Sequence, residues 1–374
     1  MKANGLKAIM IKILHIVTDT NIGGTGHLLL HLLDAYDKSS FVMEVVLPEN
    51  ARLTPLLAMR GVKYYESPDI ADKSFSFKGI STLRKLIKEA EPDIVHTHGS
   101  FSGRKAAKQL GVKVVHTRHC AYPVASWKKV FPFKQMMGFV NNSLSDLMIA
   151  ISPAAAENLI DMGARQSKIR TLFNGTPPVR SYSFEEVADI KRKYNIPPDT
   201  FVLAIIARLT EVKGHDDILD AAKAVPKALI LFAGDGEQKT HLEGRIATEG
   251  ISNVRLLGFV TDVDELIAVM DAQINASFGT ETSSLSLIQG MSAGVPAVAS
   301  DFGGNPYLIE TGVNGIVFPA RDANAMADGI KKIMSDSELY RRTSEGARQV
   351  YQERFTDKKM ASDTEAVYKE VLGR

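Results

Sequence analysis

Short apolar runs alternate with amphipathic segments along nearly all of the chain, and this alternation narrows the fold more than any other feature. In the first half IKILHIV, FVMEVVL, DIVHTH, VKVVHT and DLMIAIS read as strands, with STLRKLIKEAEP and SGRKAAKQL as helices between them. Parallel neighbours need a long crossover to bring the chain back, so this order predicts parallel sheets covered by helices on both faces. The periodicity stops at FNGTPPVRSYS, where two prolines and polar residues interrupt it. It restarts with TFVLAIIARL, KALILFAG, NVRLLGFV, DAQINAS and PAVAS. The expectation is an α/β protein of two doubly wound, Rossmann-like domains, residues 1–175 and 176–354, joined near 176–184. The last segment, about 355–374, reads as a helix. Ligands of such sheets bind beyond the carboxyl ends of the strands, and two domains facing a central cleft can share one site there.

Composition removes several classes. Cys120 is the only cysteine, so neither an intramolecular disulfide framework nor a cysteine zinc site is available, and a reducing compartment is expected. No apolar run approaches the roughly 18 residues of a membrane span. IMIKILHIV is broken by Lys12 and His15 and reads as a buried strand, not a signal sequence. Cytoplasmic placement follows as the expectation. Net charge is +2, but residues 1–175 carry 23 Lys/Arg against 14 Asp/Glu, and the remainder carries 22 against 29. A basic half suits an anionic partner such as phosphates or a membrane surface, though scattered surface charge gives the same totals.

Three strand exits could hold an anion. TDTNIGGTGHLLLHLL places Gly23 and Gly24 just before a helix, whose first amides lack intrahelical partners. It is not a dinucleotide fingerprint, since Leu29 stands where the third glycine belongs. An ordinary turn would read the same. IIARLTEVKGHDDIL puts Arg208 at a strand end and Lys213 before a helix beginning at Gly214. The pair could clamp a diphosphate, or be two solvated surface cations. SFGTETSSLSLIQGM sets Glu281 among Thr282, Ser283 and Ser284 ahead of a helix. Free amides near Ser283 to Leu285 could hold a phosphate, with Glu281 as a ligand of sugar hydroxyls. Helix capping alone also accounts for the hydroxyls.

Seven of the nine histidines, including His98 and His119, lie in the first half. VHTH and VVHTRH end strands on the expected ligand edge, but their spacing matches no zinc motif, and no metal is expected. A substrate contact through His119 or His98 competes with packed imidazoles. In YPVASWKKVFPFKQMMGFV, residues 122–140, Trp127 stands among aromatics with Lys128, Lys129 and Lys134. This suits a peripheral membrane contact. The alternative is a helix packed on its domain with a lysine-rich outer face.

Taken in order, NIGGTG, DIVHTH, VVHTRH, LFNGT, ARLTEVKGHDDIL, FAGDGE, LLGFV, GTETSSLSLIQGMSAGVPAVASDFGG and NGIVF resemble glycosyltransferase family 4, retaining enzymes of the GT-B fold. The resemblance spans nearly the whole chain, and the closing helix fits one that crosses back to the first domain. It implies that Arg208 and Lys213 bind the diphosphate of a UDP- or GDP-sugar, and that Glu281 holds hydroxyls of its sugar. Thr282, Ser283, Ser284 and Leu285 would surround the distal phosphate. Gly23 and Gly24 would approach that phosphate or the acceptor, and His119 would contact the transferred sugar. Phe259 would border the base. Gln289 stands where the family usually has a ribose-binding Glu, and Tyr307 where it often has an acid. The implied function is transfer of a hexose-type sugar, without metal or cofactor, to a glycan or lipid-linked acceptor in surface polysaccharide or glycoconjugate assembly. His98, Trp127, Lys128 and Lys129 would serve the acceptor or an anionic membrane at the inner face of the plasma membrane, and no nucleic acid is expected. A weakened relative acting as a scaffold, or another GT-B enzyme such as a sugar-nucleotide epimerase, is the alternative.

Overall fold

The computed structural model of the protein describes residues 10–121 and 124–374. The chain forms two compact units: one runs to Gly175 and includes Asp357–Arg374, and the other is Thr176–Thr356. The second unit continues past the expected residue 354 because Phe355 is buried and its carbonyl accepts from the Thr176 amide.

The first unit is a seven-stranded parallel sheet of β1 (Ile11–Val17), β2 (Phe41–Pro48), β3 (Tyr64–Ser67), β4 (Ile94–His98), β5 (Lys113–Arg118), β6 (Leu147–Ala150) and β7 (Ile169–Thr171). Its order is β3-β2-β1-β4-β5-β6-β7. Leu14, Ile16, Val95 and Val114 pack on one face against Leu83, Ile87 and Ala106 of the flanking helices. The closing helix, Asp357–Val371, belongs to this unit and buries Met360, Val367 and Tyr368. Tyr368 Oη lies 2.6 Å from His96 Nδ1 in β4, so the helix is tied to the sheet by a buried polar contact as well as by apolar area.

The second unit is a six-stranded parallel sheet of β8 (Phe201–Ile206), β9 (Ala228–Ala233), β10 (Val254–Gly258), β11 (Ala272–Asn275), β12 (Ala297–Ser300) and β13 (Gly315–Phe318). Its order is β10-β9-β8-β11-β12-β13. Leu203, Ile205, Ile230 and Phe232 feed one core, and Val202, Ala204, Leu229 and Leu231 feed the other. Burial on both faces is why these strands read as unbroken apolar runs. Each buried Val, Leu, Ile or Phe among them contributes about 1.5–3 kcal/mol by leaving water.

The segment 122–140 differs from a helix with a lysine-rich outer face. Tyr122 and Pro123 lie outside the described residues. Beyond them, a 3-10 turn, Ser126–Lys129, leads to the helix Phe133–Leu144. Its outward side chains are largely apolar, with Phe131 79% and Phe139 74% exposed alongside Trp127 and Met136. Among the described residues no helix is long and apolar enough to cross a membrane.

Candidate active site

Each sheet reverses its strand order once, between β1 and β4 in the first unit and between β8 and β11 in the second. Loops leaving adjacent strand ends diverge at such a point and open a crevice. The sequence-predicted polar residues collect at these two edges.

In the second unit Arg208 lies just past β8, exposed, and its guanidinium has no hydrogen-bonding partner among the described residues. The carbonyl of Ala207 comes so close to Gly234 that a Cβ there would sit 1.9 Å from it. This explains a glycine of FAGDGE and fixes the strand exit that carries Arg208. Lys213 ends a 3-10 turn, Glu211–Lys213, and the helix that follows starts at His215, with Gly214 as its left-handed cap, one residue later than expected.

The residues expected to hold diphosphate and sugar are paired with each other. Lys213 Nζ lies 2.9 Å from Glu281 Oε2 and 3.3 Å from the Thr280 carbonyl. An ammonium has three hydrogens, so one remains to reach an anion. Oε2 of Glu281 also accepts from Asn275 Nδ2 at 3.1 Å and Ser277 Oγ at 3.2 Å, while Oε1 takes none of these donors and stays available to a hydroxyl. Asn275 and Ser277 were missed in the sequence. Their signal was a run of small polar residues at and just past the end of β11, where Asn275 and Ser277 lead into the Glu281 loop. Asn305 supports them by donating to Asn275 Oδ1 and Ser300 Oγ.

Backbone packing sets the height of the Glu281 loop. The Gly304 amide donates to the Glu281 carbonyl at 3.0 Å, and a Cβ on Gly304 would lie 1.9 Å from the Thr282 carbonyl. Beyond the loop, Ser284 caps the helix Leu285–Ala293 by accepting from the Leu287 amide. Capping is therefore realised, and the amides left without intrahelical partners are those of Leu285 and Ser286, slightly past the expected span. Ser283 Oγ is sealed from solvent with no partner. Gln289 lies one turn after Leu285 and Ser286 on the same face, its side-chain amide unbonded among the described residues. Phe259 is exposed just past β10, whereas Tyr307 lies in the short helix Asn305–Leu308 and uses its carbonyl to receive Arg354.

In the first unit the helix Gly24–Ala35 has no side-chain cap, so the amides of Gly24, Thr25 and Gly26 are uncapped. Gly23 has φ −104°, and a Cβ on it would meet nothing within 4 Å. The turn itself therefore does not demand glycine at 23. His98 ends β4 and His119 follows β5, and His98 Nδ1 lies 2.8 Å from His119 Nε2. Together with Leu28, Leu29, Asn174 and Met360 they line a small cavity of about 30 Å³. Burial, with Arg118 beside it, lowers the His119 pKa to about 4.

His15, His96 and His98 bring ring nitrogens within 4.8 Å of one another, the arrangement of a metal-ligand cluster. Both His96 nitrogens are already taken, by Tyr368 Oη and Thr117 Oγ1 at 2.6 Å each, and His15 bonds His98. With His96 fully engaged and His15 Nδ1 and His98 Nε2 bonded to each other, the cluster fits a hydrogen-bond network better than a cation.

Two family models tile the chain: glycosyltransferase family 4 over residues 22–180, and glycosyl transferases group 1 over residues 186–350. The chain is 28% identical to EpsD of Bacillus subtilis, which carries a provisional glycosyltransferase name, over 76% of this chain and 78% of that protein. It is 24% identical to the UDP-Gal:alpha-D-GlcNAc-diphosphoundecaprenol alpha-1,3-galactosyltransferase of Escherichia coli, over 88% and 89% of the two chains. The crystal structure of Anabaena HepE in complex with UDP and glucose superposes with a TM-score of 0.82 at 21% identity, covering 96% of this chain and 99% of that one. That last likeness establishes the shared fold.

Proposed function

The chain belongs to glycosyltransferase family 4 and is a glycosyltransferase of the GT-B fold, and on that premise we propose that it transfers a hexose-type sugar, with retention and without a metal, from a UDP- or GDP-sugar. The observation that carries the reading is the Lys213–Glu281 pair, at the same sheet edge as the exposed Arg208. Breaking the sugar–phosphate bond builds negative charge on the departing nucleoside diphosphate. Arg208, the remaining Lys213 hydrogen and the amides of Leu285 and Ser286 can take up that charge without reorganising. Donors of this kind are worth about 3–4 kcal/mol each in the transition state. Those groups supply the neutralisation a divalent cation would otherwise give.

Glu281 Oε1 accepts from a donor-sugar hydroxyl, His119 contacts the same sugar, Gln289 binds the ribose and Phe259 borders the base. The acceptor oxygen attacks C1 on the face the leaving group departs from. The C1–O bond to phosphate breaks, and the acceptor's proton passes to the leaving phosphate. The acceptor is a glycan or lipid-linked glycan of surface polysaccharide or glycoconjugate assembly. This is supported by the E. coli relative, whose name specifies a diphosphoundecaprenol-linked acceptor. The exposed Trp127, Phe131 and Phe139, with Lys128 over the Trp127 ring, support peripheral contact with an anionic membrane on the cytoplasmic side.

Calorimetric titration with UDP, GDP and ADP in EDTA, on wild type and Arg208→Ala, tests the donor site. Binding of one nucleotide that the variant loses is the expected result. No binding by wild type at millimolar nucleotide would move the protein to the scaffold reading that Gln289 and Tyr307 suggest.

A further inference from the structure

His15, His98 and His119 form one line of hydrogen-bonded imidazoles running from inside the first sheet to its ligand edge. His15 Nδ1 lies 3.0 Å from His98 Nε2, and His98 Nδ1 lies 2.8 Å from His119 Nε2. Burial keeps them neutral, lowering His15 to about 3, His119 to about 4, and His98 well below its ordinary value. A neutral imidazole carries one N–H and one bare nitrogen. Within each pair one ring donates and the other accepts, so placing one proton places all three.

Two registers are available. In the first, His15 carries its proton on Nε2, and His98 and His119 both donate inward. In the second, His15 and His98 carry theirs on Nδ1 and donate outward. His15 Nε2 decides between them, because it is sealed from solvent and has no partner among the described residues. A proton there would be an orphaned donor in the middle of a buried strand, whereas a bare nitrogen there is only an unused acceptor. Folded proteins tolerate the second defect better than the first.

We propose that His15 is a positioning residue for His119: it holds its proton on Nδ1 and, through His98, forces the His119 proton onto Nδ1. Among the described residues that nitrogen has no hydrogen-bond partner and is not one of the sealed polar atoms, so it is the one His119 can offer outward. His119 then enters the site as a hydrogen-bond donor with its accepting nitrogen already filled. It can donate to a hydroxyl or phosphate oxygen of the donor, and it cannot take the acceptor's proton. The contact with the donor rests on the function proposed above, but the register does not.

The whole chain labelled with 15N-histidine is the test, since two-bond proton–nitrogen correlations report which nitrogen carries each proton. Wild type is expected to show His119 protonated on Nδ1. His15→Phe, which cannot donate, is expected to leave His119 a mixture of both forms. His15→Asn, whose amide can donate from the place of Nδ1, is expected to restore the single form. Once the donor is known, kcat should fall about tenfold in His15→Phe and recover in His15→Asn, the scale of one hydrogen bond to the reacting sugar. A wild-type His119 protonated on Nε2, or a His15→Phe spectrum with His119 unchanged, overturns the proposal. If His15→Phe does not fold, the wild-type spectrum alone decides. The spectrum reads His119 whatever the protein transfers, so an error in the register and an error in the sugar-transfer reading fail separately.

Discussion

Lys213 Nζ and Glu281 Oε2 are 2.9 Å apart, with 18% and 8% of their side chains exposed, on loops that follow the adjacent strands β8 and β11. The pair joins a cation suited to phosphate with an acid suited to hydroxyls, so each holds the other in place. Glu281→Gln keeps the shape and one acceptor oxygen while removing the charge. Nucleotide affinity is expected to change little, and kcat to fall about a hundredfold or more. Calorimetry for the nucleotide alongside turnover separates the two. Equal losses in both would mean that the acid serves nucleotide binding.

Gln289 offers one acceptor oxygen and two donors, where a carboxylate would offer charge-assisted acceptance to a diol. Its side chain has no hydrogen bond among the described residues, so replacement breaks none of them. Gln289→Glu is expected to tighten binding of the preferred nucleoside diphosphate severalfold, about 1 kcal/mol. Weaker binding would show that the ribose does not lie against this residue.

Gly304 and Gly23 form a contrasting pair. A Cβ on Gly304 would lie 1.9 Å from the Thr282 carbonyl, but a Cβ on Gly23 would meet nothing. Gly304→Ala is expected to cost about 1–3 kcal/mol in urea denaturation and to weaken nucleotide binding by shifting the Glu281 loop. Gly23→Ala should leave stability within about 0.5 kcal/mol. A fall in transfer activity in that variant alone would identify Gly23 as a point of ligand approach.

Buried histidines make the first unit sensitive to acid. The folded pKa of His15 is about 3, below its ordinary 6.5, so the unfolded chain binds more protons between those values. Stability is therefore expected to be present above pH 6.5 and to fall as pH drops below it, by about 1.4 kcal/mol per pH unit for this one group. His96, His98 and His116 are lowered in the same direction by burial and steepen the slope. Urea midpoints between pH 7 and 5 check the sign, and a rising midpoint on acidification would contradict it.

The aromatic patch and its lysines predict a surface effect. Lys128, Lys129 and Lys134 changed together to Glu should weaken co-sedimentation with anionic liposomes. The Lys129→Glu component also removes an ion pair with Asp161. Trp127→Ser with Phe131→Ser should weaken it as well, through loss of apolar contact. Unchanged co-sedimentation of both variants would remove the membrane from the proposed function.

Much of this could be read from residue order. Strands buried on both faces leave unbroken runs such as ALILFA, and Ser76, Ser152, Ser183 and Ser284 each cap a helix start as their residue type suggests. Pairings across the fold could not be read in this way. Lys213 and Glu281 are 68 residues apart and His15 and His98 are 83 apart, so spacing places each on an edge without bringing it to its partner. The sequence left two readings of 122–140 open, an aromatic membrane contact or a packed helix with a lysine-rich outer face, and could not choose between them. An apolar side chain such as Phe139 on the helix Phe133–Leu144, or Phe131 just before it, reads equally as core or as surface until its neighbours are seen to leave it uncovered.

The buried bond between Tyr368 and His96 spans 272 residues of chain. During synthesis the first sheet emerges early, but the helix that covers it, Asp357–Val371, leaves the ribosome only after the whole of the second unit. Until then the apolar ground reserved for Met360, Val367 and Tyr368 is open to solvent and to chaperones. The second unit can close on local contacts as it appears, while the first waits for its cover across a long loop. The nascent chain is therefore expected to finish its N-terminal domain last, reversing the usual vectorial order.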